Sequence, residues 1–551
     1  MTTLPPYTPA SIVPGMYDIL LLNGRVLDGT GAPARSVDIA IEAGRIVAIG
    51  DLSTATATDS IDATGKFVTP GFIDIHSHSD LTLVIAGQAS SSVAQGITTQ
   101  IAGNCGVSAA PTLDHVPYYG PLDPAMTRGM VCDWIDFDDY FDRLTNQGLG
   151  TNLATLVGHG NIRVAAMGWE DREATPTELE RMRQLTAQAM EHGSLGLSSG
   201  LAYAPGPYAP LEELVELGRV VGRYGGLYTS HIRNQTLGIA AAVGEVIAVG
   251  ERAGITAHVS HMQPGSPMLG ATADLLQTID SVRARGVDVS CDAIPYTIGS
   301  TTLKSLLPPW SLDGGDEALL RRLQDPAMRD KIKADTMTHG AESGGSRKRN
   351  LVKEGSWDRI WLGSAERNEH LTGKSFAEIG QIRHQDPHDA VLDVLLEENA
   401  RPWMLAEDVS EEDFLNIARH ETGGIISDGF SLIPEGVLAE GKHHPRSYAA
   451  FPYFLRHFIR DQGALTWEQA IHKLTGHAAA RFRLTDRGVL REGAWADVVI
   501  FDPETIAEGA DFDNPYRYPH GIDTVLVNGI AAVDDGRLTD SRSGRIVRRT
   551  A

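Results

Sequence analysis

Two hydrophobic rhythms divide this chain. From Tyr17 the pattern is that of short strands broken by turns. Tyr-Asp-Ile-Leu-Leu-Leu is followed by Asn-Gly, and Val37-Asp-Ile-Ala-Ile-Glu leads through Ala-Gly into Arg-Ile-Val-Ala-Ile-Gly, a sequence of meander hairpins. The same rhythm returns at the far end in Ala496-Asp-Val-Val-Ile-Phe, Ile522-Asp-Thr-Val-Leu-Val-Asn-Gly and Gly544-Arg-Ile-Val. Neither end has enough strands to bury a face alone, so segments 16–66 and 486–551 are expected to pair into one small β-domain. Residues 1–15, with four prolines and few apolar residues, are expected to be a loosely held extension.

Between the ends the rhythm changes to strand, loop, helix, repeated. The opening strand runs from Phe67 towards His78. Seven more follow at 96–105, 152–159, 195–200, 226–231, 255–261, 287–296 and 424–429. Helical stripes separate several of them, such as Leu179, Met182, Leu185 and Met190. Eight such units predict an α/β fold, a (β/α)8 TIM-type barrel over 67–485, with reactive groups at the C-terminal ends of its strands. Roughly 125 residues separate the last two strands, more than one helix needs. An inserted lid or substrate subdomain is therefore expected at 298–375, with His339 to Arg349 as a surface loop.

Composition adds limits rather than detail. The chain has 551 residues, 42% hydrophobic and 21% charged, as a protein with a real core should. Its net charge of -24 argues against nucleic acid or anionic lipid as partners. Three scattered cysteines suit a reducing compartment, and neither a leader nor an 18-residue apolar run is evident. A cytoplasmic protein acting on a small molecule is expected, without membrane contact and with self-association left open.

The strand ends carry the chemistry. They finish at His76 and His78, Cys105, His159, Ser198 and Ser199, His231, His261, Tyr296 and Asp428. Alternation along a strand would turn His76 and His78 to one side, where they could grip one ion. Alone, that pair reads equally well as one surface and one core histidine. The whole set is rich in imidazole, thiolate and carboxylate, the ligands of transition metals that activate water.

The stretch P-G-F-I-D-I-H-S-H, with later strands ending in His, His and Asp, resembles the amidohydrolase superfamily. More narrowly, G-N-C-G at 103–106, G-L-S-S-G-L-A-Y at 196–203, S-H-I-R-N at 230–234, D-A-I-P-Y at 292–296, S-D-G at 427–429 and H-P-R-S-Y-A-A-F-P at 444–452 are similar to the N-acyl-D-amino-acid deacylase (D-aminoacylase) family. The resemblance implies a zinc-dependent hydrolase of an N-acyl bond. It implies a tight Zn2+ site at Cys105, His231 and His261, and a second, weaker one at His76 and His78 sharing the Cys105 thiolate, so one or two ions. It also implies Asp428 as catalytic acid and base.

Other positions stay open on this reading. His159 could support a ligand, touch substrate or be a satisfied core residue. Tyr203 and Tyr296 could donate to the oxyanion or a substrate carboxylate, or simply pack. Arg446 could be a signature residue or a loop brace. His258 is expected to be packed or on the surface. Where the family commonly has a lysine that helps hold the substrate's α-carboxylate, this chain has Gln263, which offers a hydrogen bond but no charge. The expected activity is hydrolysis of a C-N amide, first of all an N-acyl-D-amino acid. Cyclic amides, lactams or small peptides are the nearest alternative, and a non-catalytic barrel the most distant.

Overall fold

The structure, a computed structural model, describes residues 16–118, 124–339 and 348–549. The extension expected at 1–15 and most of the loop expected after His339 lie outside the described residues. The barrel strands are Phe72–Asp74, Ile97–Ala102, Asn152–Thr155 continued by Val157–Gly158, Gly196–Gly200, Leu227–His231, Thr256–Val259, Val289–Ala293 and Gly423–Ile425. Each pairs in parallel with the next, apart from a break at Leu156 within the third. The ring closes outside the regular ladder. Asp428 N donates to His76 O (3.0 Å) and His78 N to Gly429 O (2.8 Å), so the first and eighth strands meet at the residues of interest. The strands are buried along their whole length, as parallel strands under two layers must be.

The helix Pro176–Glu191 shows why the intervening segments are helical. Thr175 and Glu178 form a capping box, Pro176 sits where its missing N–H is no loss, and Met182, Leu185, Ala189 and Met190 recur on the buried face.

Strands from both ends of the chain interleave. A seven-stranded sheet runs Arg537–Leu538, Ile530–Asp534, Ile522–Val527, Val498–Phe501, Phe67–Pro70, Arg25–Val26 and Arg35–Ser36. A four-stranded sheet of Arg45–Gly50, Asp38–Glu42, Tyr17–Leu22 and Ala57–Asp62 packs beside it. The expected continuous strand from Phe67 to His78 is in fact two. Phe67–Pro70 belongs to the terminal β-domain and Phe72–Asp74 to the barrel. Gly71 joins them because a Cβ there would lie 2.0 Å from Thr98 Oγ1.

The insertion is larger than the expected 298–375. Its sheet pairs Ile298–Thr302 and Ile360–Leu362 with Trp403–Glu407, so it extends to about residue 407. The helix Pro387–Glu397 could have served as a barrel helix. Instead it buries Val391, Leu392, Val394 and Leu395 in a separate core with Leu319, Leu351 and Phe376. Among the described residues no helix is long and apolar enough to cross a membrane.

Candidate active site

The G-N-C-G turn shows how the site is built. Gly103 has φ +79°, and a Cβ on it would meet Leu156 O at 2.0 Å. Only glycine lets the second strand turn there and deliver Cys105 into the barrel mouth. Cys105, His261 and Asp428 all have left-handed backbones, with φ of 52°, 33° and 51°. Such a conformation costs a non-glycine residue on the order of 1–3 kcal/mol and persists where surrounding structure enforces it.

Four residues from four strand ends, His76, Cys105, His261 and Asp428, bring one ligand atom each within 4.8 Å of one another, and all are buried. Cys105 Sγ lies 3.4 Å from His261 Nε2 and 3.7 Å from His231 Nδ1, and those two nitrogens are 3.0 Å apart. A tetrahedral zinc with bonds of about 2.0–2.3 Å places ligand atoms about 3.3–3.6 Å apart; the trio's 3.0, 3.4 and 3.7 Å bracket that span, and thiolate with two imidazoles is a zinc donor set. Beside it, His76 Nε2 is 3.3 Å from the same sulfur. His76 Nε2 and His78 Nε2 also share Asp428 Oδ1, at 3.4 and 3.0 Å. The donors therefore fit one ion or two, with Cys105 between them.

His76 and His78 lie past the end of their strand, in the loop that begins at Ile75. Their common direction comes from the intervening Ser77, which turns away and donates to Gln100 Oε1 (3.0 Å).

Charge balance holds these groups in reactive states. Burial opposes ionisation of Cys105, yet His76, His261 and His231 draw its thiol well below the ordinary range. Burial likewise opposes a charged His76, but the Cys105 thiolate and Asp292 raise it well above the ordinary value. Asp428, though buried, is held well below the usual carboxylate range by Arg446 and the two imidazoles. Arg446 Nη1 sits 2.8 Å from Asp428 Oδ2, which fixes one oxygen and leaves Oδ1 facing the histidines.

A chamber lies over the cluster, lined by His78, Cys105, His231, His261 and Asp428 from the barrel together with Tyr203, Gln235 and Arg446. Gly299, Ser300, Thr301, Lys348 and Trp403 from the insertion form its other wall.

The sequence profile of the amidohydrolase family matches residues 59–227 and 441–531. D-aminoacylase of Alcaligenes xylosoxydans xylosoxydans is 34% identical, covering 97% of this chain and 98% of that protein. N-acyl-D-glutamate deacylase of the same organism is 36% identical, covering 97% of each. The chain belongs to the D-aminoacylase family of amidohydrolases. Among solved structures, this family member resembles N-acyl-D-glutamate deacylase from Bordetella bronchiseptica complexed with zinc and a phosphonate mimic of the tetrahedral intermediate. The TM-score is 0.80 at 33% identity, covering 97% of this chain and 100% of that one.

Within this D-aminoacylase fold the remaining expected residues fall into two groups. Tyr203 reaches the chamber, its ring centroid 4.6 Å from that of His231 and its hydroxyl accepting from Thr301 Oγ1 (3.0 Å). Gln263 does not line the chamber; its amide pairs with the backbone of one residue, Nε2 donating to Ile294 O (3.1 Å) and Oε1 accepting from Ile294 N (2.9 Å). His159 is likewise elsewhere. The third strand breaks at Leu156 and a helix begins at His159, whose Nε2 lies 2.7 Å from Glu213 Oε1 in a buried cluster with Arg163. Tyr296 does not line the chamber either; it stacks on Tyr453 at 4.7 Å with its hydroxyl buried and unpartnered among the described residues.

Three contributors had no role in the site settled by the sequence. Asp292 accepts from the His261 amide, lies 3.5 Å from His76 Nδ1 and is 2.8 Å from His258 Nε2, so it braces two cluster histidines at once. His258 is thus a buried partner of that carboxylate rather than a surface residue. Arg446 holds Asp428, and Lys348 enters from the insertion. The D-A-I-P-Y motif flagged Asp292, but nothing in a single sequence ties it to His76, more than two hundred positions away.

Proposed function

We propose that this protein is a zinc-dependent deacylase that hydrolyses the amide of N-acyl-D-amino acids. Cys105, His231 and His261 would hold a zinc ion, and His76 and His78 with the Cys105 thiolate a second, weaker one. An ion held there would supply Lewis acidity for the acyl carbonyl and a water acidic enough to give hydroxide near neutral pH. The chain's own residues do the rest.

Asp428 is ionised, buried and directed by Arg446, with Oδ1 turned towards the cluster. It takes the proton of the attacking water and returns it to the departing amine. Tyr203 stands at the chamber wall as a hydroxyl donor for the developing oxyanion. Asp292 keeps His76 and the His261 turn in place.

Recognition of the substrate's carboxylate falls to Arg446 and Lys348, the two cationic chains lining the chamber. Lys348, also near Asp408 at 3.5 Å, supplies positive charge that Gln263 does not. Its three free cysteines suit a reducing, cytoplasmic setting.

The observation that carries the proposal is the convergence of Asp428 Oδ1 on His76 and His78 beside the thiolate-imidazole trio. Asp428→Asn should retain fold and zinc while kcat falls by about 10²–10⁴-fold. Full activity in that variant would remove Asp428 from the mechanism. A panel of N-acyl-D-, N-acyl-L-, cyclic and uncharged amides tests the substrate class; preference for the uncharged members would contradict it.

A further inference from the structure

At the mouth opposite the chamber, a groove of about 960 Å³ opens between the barrel floor and the chain's C-terminal segment. Leu195 and Leu227, where the fourth and fifth barrel strands begin, form part of its lining. The chamber residue His231 ends that fifth strand, about 13 Å away at about 3.3 Å per residue. The groove thus lies one strand length behind the active site.

Its charge runs against that of the whole molecule. The chain carries 71 acidic and 47 basic residues, yet this lining holds Arg483, Arg487, Arg491, Arg545, Arg548 and Arg549 against a single carboxylate, Asp486. Two of these arginines are neutralised: Arg487 by Asp497 at 2.6 Å and Arg548 by Asp138 at 2.9 Å. The other four have no carboxylate partner among the described residues. Arg491 donates to Thr485 O (2.6 Å), and Arg483 to Gly225 O and Thr256 Oγ1. Arg549 donates to Met190 O (3.4 Å) and has a buried Nε without an acceptor. Arg545 Cζ sits over the Trp495 ring, 4.2 Å from its centroid, which holds the guanidinium without neutralising it.

We propose that this groove is a binding site for a compact multi-anion, a small molecule carrying two or more phosphate or carboxylate groups. Guanidinium forks match both groups in pairs. A volume of about 960 Å³ is that of a small-molecule site. The chain's net charge of -24 would repel a long polyanion while leaving this patch to a short one.

Calorimetry on the full-length protein, with tripolyphosphate and citrate as separate probes at a fixed ionic strength of about 0.15 M, tests the site. Saturable one-to-one binding of either probe is expected, and the stronger one identifies phosphate or carboxylate as the natural group. The double variant Arg491→Ala/Arg545→Ala changes two exposed side chains. It should lose about tenfold or more in affinity with unchanged melting temperature and amide hydrolysis. If that variant melts lower, Arg483→Gln probes the same point through a third guanidinium and should also weaken binding. No saturable binding of either probe, or affinity indifferent to these substitutions in folded protein, overturns the proposal.

Discussion

At the scale of single residues, the site is a balance in which each charge sustains the next. Arg446 and the imidazoles keep Asp428 ionised against burial, and His76, His261 and His231 do the same for the Cys105 thiolate. Removing the cation should therefore raise the Asp428 pKa. Arg446→Met is expected to move the acid limb of the kcat/KM profile to higher pH and to raise KM for carboxylate-bearing substrates; an unmoved acid limb would mean that Arg446 only braces its loop. Much of this scale was legible in the sequence, because imidazole, thiolate and carboxylate are scarce enough for their places at strand ends to be informative. The neutral and backbone-directed roles were not. Gln263 sits near a metal-ligand candidate in sequence, yet its amide pairs with the Ile294 backbone, and His159 follows a strand directly but opens a helix and faces Glu213. In both cases the direction of a side chain depends on a neighbour remote in the chain.

At the scale of elements, rhythm located the eight barrel strands, while hinges and ownership had to come from three-dimensional contact. A hydrophobic run from Phe67 to His78 carries no mark of its division at Gly71, which follows from the approach of Thr98. The helix Pro387–Glu397 has the apolar stripe of a barrel helix and spends it on the insertion's own core. That insertion contributes Trp403 to the chamber wall, so Trp403→Ala should relax selection against bulkier substrates, read as KM across a series of side-chain sizes.

The insertion also holds a titratable group in its interior. Burial, assisted by Lys333, lowers His388 to about 4. Because the unfolded chain, with an ordinary histidine value near 6.5, binds the proton more readily, the neutral folded form contributes stability above about pH 6.5. That contribution is lost as pH falls towards 4, by up to about 3 kcal/mol. Thermal melts of His388→Gln should show a shallower loss of stability between pH 6.5 and 4 than the parent; parallel curves would contradict this.

At the scale of the molecule, the seven-stranded sheet of the terminal domain is made from both ends of the chain, and Phe67–Pro70 in its middle leads through Gly71 into Phe72–Asp74, the strand just before His76 and His78. Terminal sheet and active site are therefore mechanically continuous. A chain ended before residue 496 would leave Phe67–Pro70 without its partner Val498–Phe501, and is expected to be insoluble or to lose zinc along with fold. The proposed chemistry requires residues from distant strand ends to share a zinc ion. Crystals of the purified protein measured just above and below the zinc absorption edge test it directly. An anomalous peak is expected within about 2.0–2.3 Å of Cys105 Sγ, His231 Nδ1 and His261 Nε2. A zinc peak elsewhere, or none in protein that hydrolyses N-acyl-D-amino acids, would contradict it.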